Sequence, residues 1–451
     1  MPADVKISTT TYDLRKPRRC VGAAGNLNES LLTTMDAMRF ILFFAVGLIG
    51  LRWLGQWILA QKNQAHVLAH RDEVPPEYRA TVDDATYAKS VAYTLAKSRF
   101  GQWEVAGDTL ILVAILVSGV LPFSLAWVER GLGSSAWAQA FWLFLVGFAL
   151  SLPGLPFTWW EQFRLEERFG FNTTTTSLWW WDQLKGWLLG AGIGYPLLVL
   201  LLKLVGWMGP MWWVWGWAVL FGFQLVMMVL APILILPLFN KFTPLPDGTL
   251  RERLLALGER TGFNARTILV MDGSKRSRHS NAYFTGLGRF RKIVLFDTLI
   301  AQLTEGELEA VLAHEIGHYK KGHIPKMLAW AALSSLAALG LIGWLAGQPW
   351  FVGAFGFPAG VGVAPALLLF GLVSGAVTFW FSPVSNYWSR KHEFEADAYA
   401  KAAVGSAPPL LGALRKLSEK NLSNLTPHPW FSTFYYSHPT LLERERALTA
   451  P

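Results

Sequence analysis

At 451 residues the chain has room for two or three soluble domains, but 52% of it is hydrophobic, only 16% is charged and 23 positions are Trp. That balance excludes an ordinary soluble protein and points to a polytopic membrane protein. The net charge of +9 fits Lys and Arg gathered on cytoplasmic loops against anionic lipid. No helix-turn-helix, zinc finger or RNA-binding signature accompanies it, so no nucleic-acid partner is expected. The single cysteine, Cys20, excludes a disulfide framework and a Cys-rich zinc site. Any metal must be held by His and carboxylates.

Residues 1–34 are polar, carry a basic Lys16-Pro-Arg-Arg19 and lack the apolar core of a signal peptide; they are expected to be disordered, with Met35 or Met38 as alternative initiators. Residues 35–239 hold five expected spans: Met38 to Ala60, Asp108 to Val128, Ala136 to Trp159, one within Leu178 to Val205, and Met211 to Leu238. Pro153 and Pro156 are expected to end the third, and Gly209-Pro210 to separate the fourth from the fifth. A polar connector, Glu161 to Asn172, follows the third.

Residues 240–325 form the longest soluble stretch. Thr249 to Thr261 reads as a helix. Thr267 to Met271 and Lys292 to Phe296 read as strands, being rich in β-branched and large apolar residues. Between them, Asn281 to Gly288 reads as a strand with a glycine turn. Residues 326–385 carry the sixth span, Met327 to Ala346, and the seventh, Val361 to Phe381, ended by Pro383. Residues 386–451 begin with a helix from Tyr387 to about Ala403 and continue as a soluble tail. The Lys and Arg of the loops after spans one, three and five place the soluble stretch and the tail in the cytoplasm.

Within the soluble stretch lies Val311-Leu-Ala-His-Glu-Ile-Gly-His-Tyr-Lys320, the pattern His-Glu-x-x-His. On a helix, residues four apart share a face, so His314 and His318 can put two ring nitrogens on one Zn²⁺. Glu315, about 100° round, can reach a water on the metal as general base. Thr304 with Glu307 three residues later spells a capping box, placing the helix at Glu305 to about Lys321. A third ligand is sought in Ser389 to Ala400. Glu393 can supply it, with His392 and Glu395 as rivals. Asp397, four residues on, can accept the free N–H of a ligand histidine. The competing account is a solvated, charged helix. His323 reads as a marker of the membrane boundary and His279 as a surface histidine. His438, before a Pro and a charged helix, can stand near an oxyanion.

These pieces together resemble the type 1 CAAX prenyl protease family of integral-membrane zinc endopeptidases. The matching segments are Glu166 to Asn172, Pro237 to Leu245, Ser280 to Gly286, Ile293 to Thr298, His314 to His318, Glu393 to Asp397 and Ser437 to Arg444. The resemblance implies about seven transmembrane helices enclosing a chamber, with a small α+β metalloprotease part facing it. It implies one zinc on His314, His318 and Glu393, with Glu315 as base and Asp397 supporting a ligand. It further implies Asn281, Ala282 and Tyr283 as the strand that pairs with substrate backbone, and His438 and Arg444 beside the scissile carbonyl. The expected activity is removal of the C-terminal tripeptide from prenylated CAAX proteins. The alternatives are a membrane quality-control protease on other peptide or protein substrates, and a transporter or lipid-binding protein with structural zinc. The expected setting is the lipid bilayer: the plasma or inner membrane of a bacterium, or the endoplasmic reticulum of a eukaryote.

Overall fold

Apolar runs this long leave no water for their backbone groups, so every N–H and C=O must pair inside a helix. The structure, a computed structural model, describes residues 21–79, 81–263, 267–285 and 292–450. Among them, six helical stretches are long and apolar enough to cross a membrane: Met35–Ala69, Asp84–Val117, Ala136–Phe169, Thr176–Phe239, His323–Ala346 and Ala364–Val404. The fourth of these contains two of the expected crossings. Its first part ends at Met208, Gly209 takes φ +54°, and a new helix starts at Trp212. Only a residue without Cβ accepts that turn cheaply.

Several boundaries differ from expectation. The expected disordered segment falls in part, residues 1–20, outside the described residues; from Val21 the chain is in the helix Val21–Ala69. The second crossing begins at Asp84, capped by the side chain of Asp83, and ends before Gly119, at φ +72°. Pro153 and Pro156 do not end the third. The chain turns at Leu152 and Pro153 and the helix re-forms at Gly154, with Pro156 in its first turn, where no helical N–H is lost; a π-helical stretch follows over Glu161–Glu166. The expected polar connector is therefore helical as far as Phe169. Pro383 does not end the seventh either. It lies in the first turn of Ser382–Val404, where the missing N–H would have had no partner. The last span thus runs almost directly into the helix that carries Glu393.

The membrane part packs around Trp142, Leu125, Ala364 and Leu369, while Phe40, Phe43, Trp103, Trp330 and Trp344 stay exposed on its outside. Such large apolar residues facing outward are what a lipid-facing surface requires. The soluble part has its own core of Leu254, Leu257, Leu295, Leu308, Leu312 and Ile316, joined by Ala400 and Leu410 from the tail. Its four-stranded sheet has the order β1-β2-β4-β3, with β1 Phe242–Pro244, β2 Thr267–Met271, β3 Ala282–Thr285 and β4 Lys292–Phe296. β2 and β4 run parallel with Thr267 opposite Lys292; the other pairs are antiparallel. β1 escapes a reading by pattern because it is short and holds Pro244, which only an edge strand tolerates.

Candidate metal centre

Two helices carry the centre. The first, Glu305–Lys320, starts where expected: Thr304 and Glu307 form both halves of a capping box. That fixed start sets which residues share its inner face. The second, Ser382–Val404, lies two membrane crossings later in the chain. Gly317 lets the two meet, because a Cβ there would sit 3.0 Å from both the Cα and the carbonyl oxygen of Ala396. Gly317 lies between His314 and His318, and Ala396 between Glu393 and Asp397, so their contact aligns the two sets of side chains.

His314 Nε2 and His318 Nε2 are 3.2 Å apart. Glu393 Oε2 is 3.4 Å from the former and Glu393 Oε1 is 3.3 Å from the latter. Tetrahedral zinc with bonds of about 2.0–2.1 Å sets its ligands about 3.3 Å from one another. The two imidazole nitrogens stand at that spacing, and each has a different oxygen of the Glu393 carboxylate at the same range, so the three side chains converge on one point. Glu393 Oε2 is buried with no hydrogen-bond partner, which costs about 1–3 kcal/mol or more for a charged group left alone. Among the described residues, these three form the one set of ligand-type side chains placed to share an ion. The donor set, two imidazoles and a carboxylate with a corner free, fits catalytic zinc.

The surroundings fix the ring states. His314 Nδ1 donates to Asp397 Oδ1 at 2.8 Å, which leaves the Nε2 lone pair for the centre. Asp397, 1% exposed, also accepts from Arg444 Nε at 2.8 Å and from Nη2. Burial alone would push the His314 imidazole down, but its bonds to Asp397 and Glu393 outweigh this and lift it to about 9. The carboxylates that favour a proton there equally favour a metal cation. Burial holds the Glu315 carboxyl above the usual range, opposed by the two histidines. Glu315 is half-buried and makes no hydrogen bond to another described residue. Its carboxylate is free to serve a reacting water.

The tail supplies the rest. His438 Nε2 lies 3.5 Å from Glu393 Oε1, and its Nδ1 lies 3.0 Å from Ser437 Oγ; its side chain is 65% exposed. Arg444 sits on Leu441–Thr449, which begins with a second capping box, Thr440 and Glu443. It is buried behind His314, and its Nη1 is 3.8 Å from Glu393 Oε2. Asn281 precedes β3, and Ala282 and Tyr283 lie in it. β3 is an edge strand; its far edge pairs with no strand among the described residues.

His323 opens the sixth span, His323–Ala346, as expected of a membrane-boundary marker, and both it and His279 have partners that the sequence reading did not give them. His279 is not simply a surface group: its ring stacks on Phe171 at 4.1 Å, faces Asn421 Oδ1 at 3.0 Å and faces Glu166 Oε2 at 3.3 Å. It thus ties the third crossing to the sheet and the tail. His323 is 1% exposed, with its Nδ1 2.9 Å from His318 Nδ1 and its Nε2 3.0 Å from Glu395 Oε2. The signal for it is Gly322, whose φ of +67° folds the chain back over the last turn of the His314 helix. Of the two rival ligands, Glu395 is turned to His323 and His392 stacks on the His323 ring at 4.0 Å.

Comparison with known proteins gives a concordant picture. Residues 63–241 match the family description "CAAX prenyl protease N-terminal, five membrane helices", and residues 244–451 match "Peptidase family M48". "CAAX prenyl protease 1" of Saccharomyces cerevisiae is 38% identical over 410 residues, covering 83% of this chain and 88% of that protein. "CAAX prenyl protease 1 homolog" of Homo sapiens is 32% identical over 444 residues, covering 88% and 92%. The crystal structure of S. mikatae Ste24p superposes with a TM-score of 0.83 at 33% identity, over 90% of this chain and 98% of that one.

Proposed function

Because this chain belongs to the CAAX prenyl protease branch of peptidase family M48 and is a multi-pass membrane zinc metallopeptidase, we propose that it releases the C-terminal tripeptide of prenylated CAAX proteins. The work is done at one Zn²⁺ held by His314, His318 and Glu393. The observation that carries this reading is the convergence of the two Nε2 atoms, 3.2 Å apart, on the two oxygens of the Glu393 carboxylate at 3.4 and 3.3 Å, with Glu393 Oε2 buried and without a hydrogen bond. Zinc bound there supplies Lewis acidity and lowers the pKa of a water toward about 7.

The chain's own residues do the rest. Glu315 takes the proton of the attacking water on a carboxylate oxygen and returns it to the leaving nitrogen. His438, open on one side, donates Nε2–H to the oxyanion as it forms. Arg444 reaches the site from behind, so it holds Asp397 and Glu393 in place while His438 faces substrate. The free edge of β3, from Asn281 to Tyr283, pairs with substrate backbone as an added strand, which favours loose selectivity for side chains. The lipid of the substrate keeps it at the bilayer. The site opens to the cytoplasm, on the side of the Lys- and Arg-rich loops.

The test uses the purified full chain with a farnesylated Cys-a-a-X peptide and its unlipidated twin, with and without a zinc chelator. Cleavage of the farnesylated peptide alone, abolished by chelator, supports the proposal. Equal cleavage of both peptides would favour the quality-control reading. Cleavage that survives the chelator would sink the metal mechanism.

A further inference from the structure

His314 and His318 bind an ion only if each presents a lone pair at Nε2, which requires the proton on Nδ1. For His314 the cause is direct, since Asp397 accepts its Nδ1–H at 2.8 Å. His318 has no carboxylate on its Nδ1. What it has is His323 Nδ1 at 2.9 Å.

The third acid of the segment resolves this. Glu395 is two residues from Glu393, so it points about 200° round the helix and cannot reach the donor triangle. It meets His323 instead, with Oε2 at 3.0 Å from Nε2. A carboxylate only accepts, so His323 carries its proton on Nε2. A neutral imidazole has one N–H, so His323 Nδ1 is then an acceptor. His318 must therefore place its own proton on Nδ1, and its Nε2 lone pair faces His314 and Glu393. The His323 ring is held in that orientation, being 1% exposed and stacked on His392 at 4.0 Å.

We propose that Glu395 and His323 form a two-step relay that sets the tautomer and aim of His318 as a zinc ligand. Asp397 does the same for His314 in one step. Glu393, Glu395 and Asp397 thus divide the work on a single helix, one binding the ion and two orienting its ligands. His323 is a positioning residue; it touches neither ion nor substrate. The inference rests on the zinc reading above, and its test separates the two.

The full-length protein is purified in detergent as the parent and as His323→Leu, His323→Asn and Glu395→Gln. Zinc affinity is measured by competition with a chromogenic zinc chelator, and melting is followed separately with all metal removed. Leu removes the acceptor. Asn keeps an oxygen close to where Nδ1 stood. Loss of an outer hydrogen bond to a ligand histidine lowers metal affinity about 10–100-fold. The expected result is a drop of that order for His323→Leu, a smaller drop for Glu395→Gln, and recovery toward the parent for His323→Asn. Metal-free melting should not follow the same order. Parent-like zinc affinity in His323→Leu would overturn the relay. So would equal losses in His323→Leu and His323→Asn, since packing rather than the acceptor would then be at work. If His323→Leu fails to fold, His323→Asn and Glu395→Gln decide: Asn must bind zinc better than a buried-site disruption would allow, and Gln must weaken binding. A parent chain that takes up no zinc would sink the metal reading itself.

Discussion

Gly317→Ala tests whether the close approach of two helices sets the ligand geometry. The new Cβ would lie 3.0 Å from Ala396 Cα, 3.0 Å from its carbonyl oxygen and 3.2 Å from Tyr399 Cβ. Carbon atoms prefer about 3.5–4.0 Å, so the helices must part by about 0.5–1 Å. Two of the three obstructing atoms belong to backbone and cannot swing aside. Overpacking of this kind costs about 1–3 kcal/mol, while Ala in place of a helical Gly returns about 0.5–1 kcal/mol. The net destabilisation should be about 1–2 kcal/mol. The effect on metal should be larger than that suggests. Ligand distances are tolerated within about ±0.2 Å, and Glu393 moves with Ala396 while His314 and His318 stay with Gly317. Gly306→Ala on the same helix is the control, since its Cβ meets nothing closer than Arg253 Nη2 at 3.6 Å. It should stabilise by about 0.5–1 kcal/mol and leave the centre alone. The measurement is zinc bound per chain at buffered free zinc, alongside melting temperature and peptidase rate. Gly317→Ala holding zinc as tightly as the parent would refute the idea that this contact sets the site.

Asp397→Asn keeps the shape but removes the charge between Arg444 and His314. Breaking a buried pair costs about 3–5 kcal/mol, and zinc affinity should fall about 10–100-fold; unchanged denaturation and zinc binding would count against the buried triad. His279 yields a pH effect of defined sign. Its bond to Glu166 raises its pKa above 6.5, with burial opposing and Asn421 assisting. A raised folded pKa means the stability is present in full below about 6.5, the unfolded value, and is lost as pH rises through the folded one. The melting temperature should therefore fall over that window in the parent, and fall less in His279→Asn. Parallel curves for the two would remove His279 as the cause.

The motif helix is legible in the sequence because its signals are local: a capping box, a packed face and two histidines four apart. The sheet is nearly as clear, since β2 and β4 are short apolar runs with turn residues beside them. Span limits are less legible at Pro153, Pro156 and Pro383. A proline reads as a stop, yet at a helix cap or in a first turn it has no helical N–H to lose, and whether a helix resumes there depends on packing. His323 and Glu395 escape a sequence reading for a related reason. Their partners are each other and His318, and that meeting depends on a glycine turn and on a helix 72 residues later, from His323 to Glu395. Periodicity carries no trace of such distant pairing.

Charge along the two site helices argues for where the cation belongs. Glu307 is paired with Lys416 at 2.7 Å, Glu309 with Arg260 at 2.6 Å and with Arg253, and Asp397 with Arg444. Each of these buried acids has a Lys or Arg brought to it by another segment. Glu393 and Glu315 are less well served: Glu393 shares Arg444 with Asp397 and has its Nη1 only at 3.8 Å, beyond hydrogen-bond range, and Glu315 has no ion-pair partner within bonding reach among the described residues. A low-dielectric site with two such acids is costly unless a cation arrives. A divalent ion ligated by one and adjacent to the other balances both. The two acids should then respond differently to loss of charge. Glu393→Gln removes a ligand and should abolish zinc binding and cleavage together. Glu315→Gln should keep zinc within a few-fold of the parent and lose cleavage alone, by roughly the 10²–10⁴-fold typical of a general base. If zinc falls as far in Glu315→Gln as in Glu393→Gln, Glu315 is a ligand, no base remains, and the ion is structural. If Glu315→Gln cleaves at the parent rate, the proton goes elsewhere.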